Sequence, residues 1–242
     1  MRILAFGAHP DDIEFRCAGT LAKYAARGDE IFICIATNGN IGSAHTSKDE
    51  IAAMRYKEAQ NASAVINAQL LWLGFEDEFL FDNEETRLKF IDAVRIAKPD
   101  VIFAPPHYLD YNPDHNTTGY LAFIARINAT IRLIETENPP HTKVPPMFYF
   151  TTFGGMEFET LQPDHFVDIT DTFETKIKMF HCHASQQGQW GKDAFGMDFA
   201  DMIVRENKAL AAVCGTPGVE YVEAFTLCKT WPIIVEAYKY LP

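Results

Sequence analysis

The chain has 242 residues, of which 48% are hydrophobic and 22% charged, and it carries a formal net charge of −12. This composition supports a packed core and excludes an intrinsically disordered chain. Nucleic-acid binders need a basic face, so the acidic balance predicts that no nucleic acid is among the partners. No apolar run approaches the roughly 18 residues of a membrane span, and no secretory-leader pattern is present. We therefore expect a cytoplasmic protein without a membrane span.

The first two thirds of the chain alternate strand-like and helix-like segments. Short apolar, β-branched runs predict strands over residues 2–8, 30–39, 69–75 and 100–106. Helical spacing predicts helices over residues 17–30, 49–66, 86–97 and 117–134. This alternation with short connections predicts an α/β fold, with a Rossmann-like, mainly parallel sheet and helices on both faces.

A Pro-rich stretch at residues 137–146 marks a change of pattern. Beyond it, strand-like runs (147–153, 166–170, 221–229) are interleaved with helical ones (171–183, 198–213). We interpret this part as a C-terminal α+β elaboration of the same unit, so that residues 1–242 form a single domain.

Three polar clusters follow predicted strands. They are HPDD at residues 9–12, ATNGN at 36–40 and HYLDYNPDHN at 107–116. Ligands of open α/β sheets bind outside the carboxyl ends of the strands. The three clusters are therefore expected to form one site.

The residue types in these clusters favour a divalent metal. His9 and Asp12 follow the first strand, and His115 begins a predicted helix at the same edge. Catalytic zinc sites have three such protein ligands and an open position. The adjacent Asp11 is then free to take a proton from the attacking water. The alternative is that Pro10 and the two acids only begin a helix, and that His115 is a solvated or capping residue.

Seven motifs in chain order resemble the LmbE-like, or PIG-L, zinc deacetylases through nearly the whole chain. They are AHPDDIE, the TNG turn, Arg55 with Glu58 in MRYKEA, LGFED, PDH, HASQ and YVEAF. The resemblance implies that His9, Asp12 and His115 bind Zn²⁺, with Fe²⁺ as an alternative, and that Asp11 is the general base. It also implies removal of an acetyl group from an N-acetylglucosamine-type substrate.

One position departs from the family pattern. The family has HPDH, whose first histidine stabilises the oxyanion or protonates the leaving amine, whereas this chain has Asn112. An amide can donate a hydrogen bond to an oxyanion, so Asn112 stays a candidate catalytic residue, but it cannot act as an acid near neutral pH. His107 or another group would then supply the proton.

Substrate contacts are expected at Arg55, Asp77 and His107. From spacing alone, Arg55 and Glu58 could be an ordinary surface pair one helical turn apart, and Asp77 could be a turn acid. Glu14 either orients the first loop or caps a helix. HASQ (183–186) is interpreted as structural or as a support for residues that contact the substrate, since no nucleophile motif surrounds Ser185. The stretch 186–196 either stacks on a sugar ring or is an inert loop.

The sequence thus predicts a zinc-dependent hydrolase acting on a small acetylated amino sugar or glycoside, in a homo-oligomer. Three alternatives remain open at this point. One is a family amidase acting on a non-sugar or thiol-conjugate amide. Another is a non-catalytic sugar- or nucleotide-binding module, although no GxGxxG motif follows the first strand. The third is a phosphohydrolase with Asp11 as its nucleophile.

Overall fold

A computed structural model describes residues 1–108, 110–151, 162–187, 192, 196–232, 234 and 236–242. Within these residues seven strands form one sheet in the order β3-β2-β1-β4-β5-β7-β6. The strands are β1 (Arg2–Gly7), β2 (Glu30–Thr37), β3 (Gln69–Phe75), β4 (Val101–Ala104), β5 (Met147–Phe150), β6 (His165–Asp168) and β7 (Val222–Leu227). The first five are parallel, and β7 runs antiparallel to both β5 and β6. The predicted α/β class with a mainly parallel sheet is confirmed.

The described helices are α1 (Asp12–Arg16), α2 (Ala18–Ala26), α3 (Lys48–Val65), α4 (Glu84–Ala97), α5 (Pro113–Asn128), α6 (Phe173–Phe180) and α7 (Phe199–Cys214). Short 3₁₀ turns occupy Ala184–Gln186 and Ala237–Tyr240. The helix predicted over 17–30 is α2, which ends at Ala26, and the short helix α1 before it was not predicted; Cys17, with φ −143° and ψ 8°, separates the two. None of the described helices is both long and apolar enough to cross a bilayer.

Two hydrophobic layers cover the sheet, one on each face. Ile3 and Ala5 of β1 face the layer that includes α1, α2, α6 and α7, whereas Leu4 and Phe6 face α4 and α5. This alternation follows from the two-residue period of a strand. Burial on both faces explains why β1 is a continuous apolar run.

A buried ion pair ties the C-terminal elements to the first loop. Glu223 of β7 accepts hydrogen bonds from the backbone amides of Gly19 (2.9 Å) and Thr20 (2.7 Å) at the start of α2. Its partner Lys176 of α6 lies 2.6 Å away and also donates to the carbonyl oxygen of Phe15. A buried charge is tolerated when it is paired in this way. The network therefore fixes α1 and α2 relative to the antiparallel edge of the sheet.

Gly119 of α5 allows that helix to lie directly on the backbone that follows β4. A Cβ atom at this position would lie 2.7 Å from the carbonyl carbon and oxygen of Pro106. Backbone atoms cannot move aside as a flexible side chain can, so only glycine fits. This contact places the first turn of α5 next to the carboxyl end of the sheet.

We therefore expect Gly119→Ala to destabilise the protein, although alanine favours a helix interior by about 0.5–1 kcal/mol over glycine. Overpacking against the Pro105–Pro106 backbone should lower the free energy of unfolding by about 1–3 kcal/mol. Chemical denaturation measures this change, with Thr117→Ala on the same helix as the control. An unchanged or higher stability of Gly119→Ala would contradict the close approach.

Candidate metal centre

The loop after β1 is shaped by the carboxylate of Asp12. Its Oδ2 accepts hydrogen bonds from the backbone amides of Ala8 (2.7 Å) and His9 (2.9 Å). Asp11 is at the N-cap of α1, but its side chain makes no capping bond, and its backbone has φ 153°. A non-glycine residue rarely adopts this conformation, which costs about 1–3 kcal/mol and is typical of functional sites. The helix start thus explains where the two acids lie, but not what their side chains do.

His115 is brought to the same place by the cap of α5. The Asn112 side-chain oxygen accepts hydrogen bonds from the backbone amides of Asp114 (2.8 Å) and His115 (3.3 Å). Pro113 occupies the first helical position, where its missing N–H costs nothing. His115 therefore lies in the first turn of α5 and faces the loop after β1.

His9, Asp12 and His115 converge on one point. The Nδ1 atom of His9 lies 3.1 Å from Nε2 of His115 and 3.8 Å from Oδ2 of Asp12. Asp12 Oδ1 lies 3.3 Å from His115 Nε2. Ligands of a tetrahedral ion with bonds of about 2.0–2.1 Å are separated by about 3.3 Å. The three side chains therefore fit a divalent metal of this size.

Both histidines present one nitrogen to this point and have a carboxylate on the other. Nε2 of His9 lies 3.0 Å from Asp77 and 3.5 Å from Asp114. Nδ1 of His115 lies 3.0 Å from Asp110. Such carboxylates orient metal-binding imidazoles and fix their tautomers. His9, Asp77 and Glu78 also form a set with metal-binding potential, but the hydrogen bond between His9 and Asp77 is the arrangement expected behind a ligand.

The ionisable groups of this cluster are strongly shifted. Burial alone would lower the pKa of His115, but the carboxylates of Asp12 and Asp110 outweigh it and raise the pKa to about 9. Burial is likewise outweighed at His9, whose pKa is raised well above its usual value by Asp114, Asp12 and Asp77. Burial would raise the pKa of Asp12, yet the two histidines hold it well below its usual value. Without a metal, protons on the imidazoles therefore balance the acids.

Asp11 lies beside this centre and is held by Arg55 of α3. The guanidinium donates to Asp11 Oδ1 (3.1 Å) and to the carbonyl oxygen of Pro10 (3.0 Å). Burial raises the pKa of Asp11, and Arg55 offsets only part of that increase. A carboxylate with a raised pKa is a better proton acceptor near neutral pH. The arrangement suits a general base.

The segment that begins with ATNGN at the end of β2 and continues to Gly42 covers the same arginine. A Cβ atom at Gly39, which has φ 65°, would lie 2.6 Å from Arg55 Nη1, and one at Gly42 would lie 2.7 Å away. Glycine at these positions therefore lets the turn cover Arg55, which is 4% exposed. Since Arg55 contacts Asp11 and Glu58 contacts Ser185, the alternative of an ordinary surface pair is wrong.

Asn112 uses both ends of its amide. Besides capping α5 through its oxygen, it donates from its nitrogen to Oε1 of Glu78 at 2.7 Å. The amide nitrogen carries a second N–H, so Asn112 can keep its bond to Glu78 and still donate to an oxyanion. Asp77 lies at the centre, against His9. His107 does not line the cavity formed by the described residues, since its ring packs on Phe123 at 5.5 Å.

A cavity of about 290 Å³ opens onto the three candidate ligands. Ligand cavities usually hold about 300–1,000 Å³, so this one suits a small molecule. Its polar wall includes Arg55, Glu78 and Arg16, and Phe199 contributes to the apolar wall. Arg16 lies one turn after Asp12 on α1, and its Nη1 pairs with Glu206 of α7 at 2.9 Å.

The HASQ segment reaches this cavity. His183 lies 3.2 Å from Glu14, and Ser185 donates twice to Glu58 of α3, at 2.7 Å and 2.6 Å. These contacts are structural, as the sequence predicts, and Glu14 holds the segment rather than capping α1. Gln186 lines the cavity; it begins the stretch 186–196, for which sugar stacking or an inert loop was predicted, but its hydrogen bonds were not predicted. Residues 188–191 and 193–195 of the predicted sugar-stacking stretch lie outside the described residues.

Comparison with known proteins places this site in a family. Residues 4–125 match the family model PIG-L, described as GlcNAc-PI de-N-acetylase. The chain belongs to the PIG-L (LmbE-like) family. The matched region holds the three candidate ligands and Asp11, but Gln186 and Phe199 lie beyond it.

Individual relatives agree with this placement. Diacetylchitobiose deacetylase of Thermococcus kodakarensis is 26% identical over 195 residues, which cover 76% of this chain and 70% of that protein. The structure of N,N'-diacetylchitobiose deacetylase from Pyrococcus horikoshii has a TM-score of 0.79 at 26% identity, covering 93% of this chain and 82% of that one. The 4-oxalmesaconate hydratase of Pseudomonas putida is 26% identical over 196 residues, which cover 77% of this chain and 74% of that protein.

Metal uptake should release protons. His115, with a pKa of about 9, carries a proton at pH 7.5, the pKa of His9 is also raised, and an imidazole must lose its proton to bind a metal. Apparent affinity for Zn²⁺ should therefore rise with pH up to about 9 and then level off. Calorimetry in two buffers of different ionisation enthalpy should show about one to two protons released per metal. The site geometry is contradicted if no proton is released, or if His115→Ala binds as tightly as wild type.

Asn112→Ala should lower stability and weaken metal binding together. Loss of the cap should cost about 1 kcal/mol, and it frees the backbone that positions His115. Asn112→Asp is the matched control, because it keeps the capping oxygen while placing a carboxylate against Glu78. Thermal unfolding with and without Zn²⁺ measures both effects. If Asn112→Ala unfolds and binds Zn²⁺ like wild type, the capping role is wrong.

Proposed function

We propose that this protein is a zinc-dependent deacetylase that removes an acetyl group from an N-acetylglucosamine-type substrate. The observation that carries the proposal is the convergence of His9, Asp12 and His115 within 3.1–3.8 Å of one another. The base candidate Asp11 lies at the same cavity. The metal ligands and the base are assigned to these residues as part of the proposal.

Zn²⁺ is the favoured metal, because two imidazole nitrogens, one carboxylate and an open position are its usual catalytic set, with Fe²⁺ as the alternative. When bound, such an ion polarises a carbonyl group and makes water nucleophilic near neutral pH. Asp77, Asp114 and Asp110 hold the two imidazoles in the required orientation. The expected cytoplasmic location and homo-oligomeric state stay predictions.

Proton transfer is carried out by residues of the chain itself. Asp11 takes the proton of the attacking water, and Arg55 keeps its carboxylate aimed at the cavity. Once protonated, Asp11 also passes this proton to the departing amine, a step that Asn112 cannot perform. This double use accounts for the missing family histidine without recruiting His107, whose ring lies away from the cavity.

The relatives and the cavity support this substrate class. Two relatives described above are named diacetylchitobiose deacetylases, and the cavity of about 290 Å³ suits a single amino-sugar ring. Phe199 in its wall can pack against the C–H groups of a sugar ring, and its carboxylates can accept hydrogen bonds from the sugar hydroxyl groups. We further infer that residues 1–242 act as one domain, because the network around Glu223 connects the two ends of the chain.

Asp11→Asn should abolish most activity and keep the metal. The change is isosteric but removes the proton acceptor, so acetate release should fall by about 10²–10⁴-fold. Acetate is assayed with N-acetylglucosamine, N,N'-diacetylchitobiose and N-acetyl glycosides, and metal content by elemental analysis. Asp49→Asn, an exposed acid of α3, is the control. Full activity of Asp11→Asn, or no acetate from wild type with Zn²⁺ bound, would refute the proposal.

A second candidate is hydration of an unsaturated carboxylic acid. It is favoured by Arg16, a buried guanidinium in the cavity wall that a carboxylate substrate would use and a neutral sugar would not. A relative of similar coverage is named 4-oxalmesaconate hydratase. Loss of the ultraviolet absorbance of a conjugated dicarboxylic acid, without acetate release from amides, would favour this reaction instead.

A further inference from the structure

Gln186 is a buried side chain whose amide is held from one side only. The residue is 2% exposed and lines the cavity that holds the candidate ligands. Its Nε2 atom donates to the carbonyl oxygen of Gly42 (3.1 Å) and to Oγ of Ser185 (3.0 Å). A carbonyl oxygen can only accept, so the nitrogen of the amide must be the atom that faces Gly42. This fixes which way the other end of the amide points.

The support behind Gln186 is rigid. Ser185 is anchored to Glu58 through both its backbone amide and its hydroxyl. Glu58 lies one turn from Arg55 on α3, and Arg55 holds Asp11. One helix therefore positions both the candidate base and the segment that carries Gln186. A side chain fixed at this depth has few rotamers to lose when it binds a ligand.

The Oε1 atom of Gln186 accepts no hydrogen bond from any residue in the part of the chain that the structure describes. It lies next to Gly42, 3.4 Å from where a Cβ of that residue would be, and Arg55 Nη1 lies 2.7 Å from the same point. Gly42 itself lines the cavity, so this end of the amide lies at the cavity wall while the nitrogen is committed to Gly42 and Ser185. Polar groups placed at the wall of a ligand cavity typically fix the orientation of the ligand.

We propose that Gln186 Oε1 accepts a hydrogen bond from the substrate and determines specificity. The donor is an O–H or N–H group of the amino sugar, close to the acyl group that is removed. Arg55 provides donors and Gln186 an acceptor next to Gly42, so that this wall can bind a donor–acceptor pair on the ligand. The amide is also neutral, so it adds an acceptor without adding another negative charge beside Asp11. This inference rests on the proposed deacetylase function.

The test compares wild type and one variant on a set of substrates. Gln186→Met has a similar shape but no acceptor, and the substrates are N-acetylglucosamine, its monodeoxy analogues and the analogue in which an ester replaces the amide. For the parent sugar, kcat/KM should fall about tenfold, mainly through a higher KM, with kcat within about twofold. For the single analogue that lacks the bonded donor, wild type and Gln186→Met should be equal. A deoxy analogue would identify a hydroxyl as the donor, and the ester would identify the amide N–H.

Ser185→Ala is the matched control. It removes the support of Gln186 and leaves the acceptor, so any loss should be the same for every substrate. Equal losses for all substrates with Gln186→Met would reduce Gln186 to a structural role and overturn the inference. An unchanged kcat/KM would do the same. Both outcomes leave the deacetylase function intact, whereas a zinc-loaded wild type that releases no acetate overturns both.

Discussion

The structure of the site depends on packing five aspartates at one edge of the sheet. Asp11, Asp12, Asp77, Asp110 and Asp114 all lie within or beside the candidate metal centre. Buried carboxylates are tolerated only when donors or cations satisfy them. The loops after β1, β3 and β4 take the shapes that provide those donors. Fully buried Asp114, for example, accepts the backbone amides of the β3 loop that follows Asp77.

The same acids determine which ring nitrogen of each histidine faces the candidate metal position. Because carboxylates occupy Nε2 of His9 and Nδ1 of His115, the opposite nitrogens are the ones that meet. Two imidazole nitrogens 3.1 Å apart are stable together only when a cation or a shared proton lies between them. The raised pKa values of both rings reflect this demand for positive charge. The arrangement is thus built around a centre of positive charge, which protons on the imidazoles or a bound cation would supply.

Much of the fold and of the metal centre could be predicted because the signals are local. The apolar run predicted as a strand over 69–75 has the same bounds as β3. His9 and Asp12 lie only three residues apart in one motif, directly after β1. The contacts that were missed are between residues far apart in sequence. Gln186 meets Gly42 across 144 positions, and no periodicity reports such a contact. Asn112 showed a different limit, because its role as a helix cap is set by backbone amides that a motif does not reveal.

Glu58 connects the region that matches the family model to a segment beyond it. The region that matches the family model ends at residue 125, yet part of the cavity wall is carried by Gln186, whose segment Glu58 holds through two hydrogen bonds. The part of the wall that Gln186 forms therefore lies outside the matched region, whereas the proposed metal ligands and base lie within it. We therefore expect a chimaera that keeps residues 1–125 and takes its remainder from a relative to have the relative's substrate preference. The incoming segment must provide a serine that donates to Glu58, as Ser185 does.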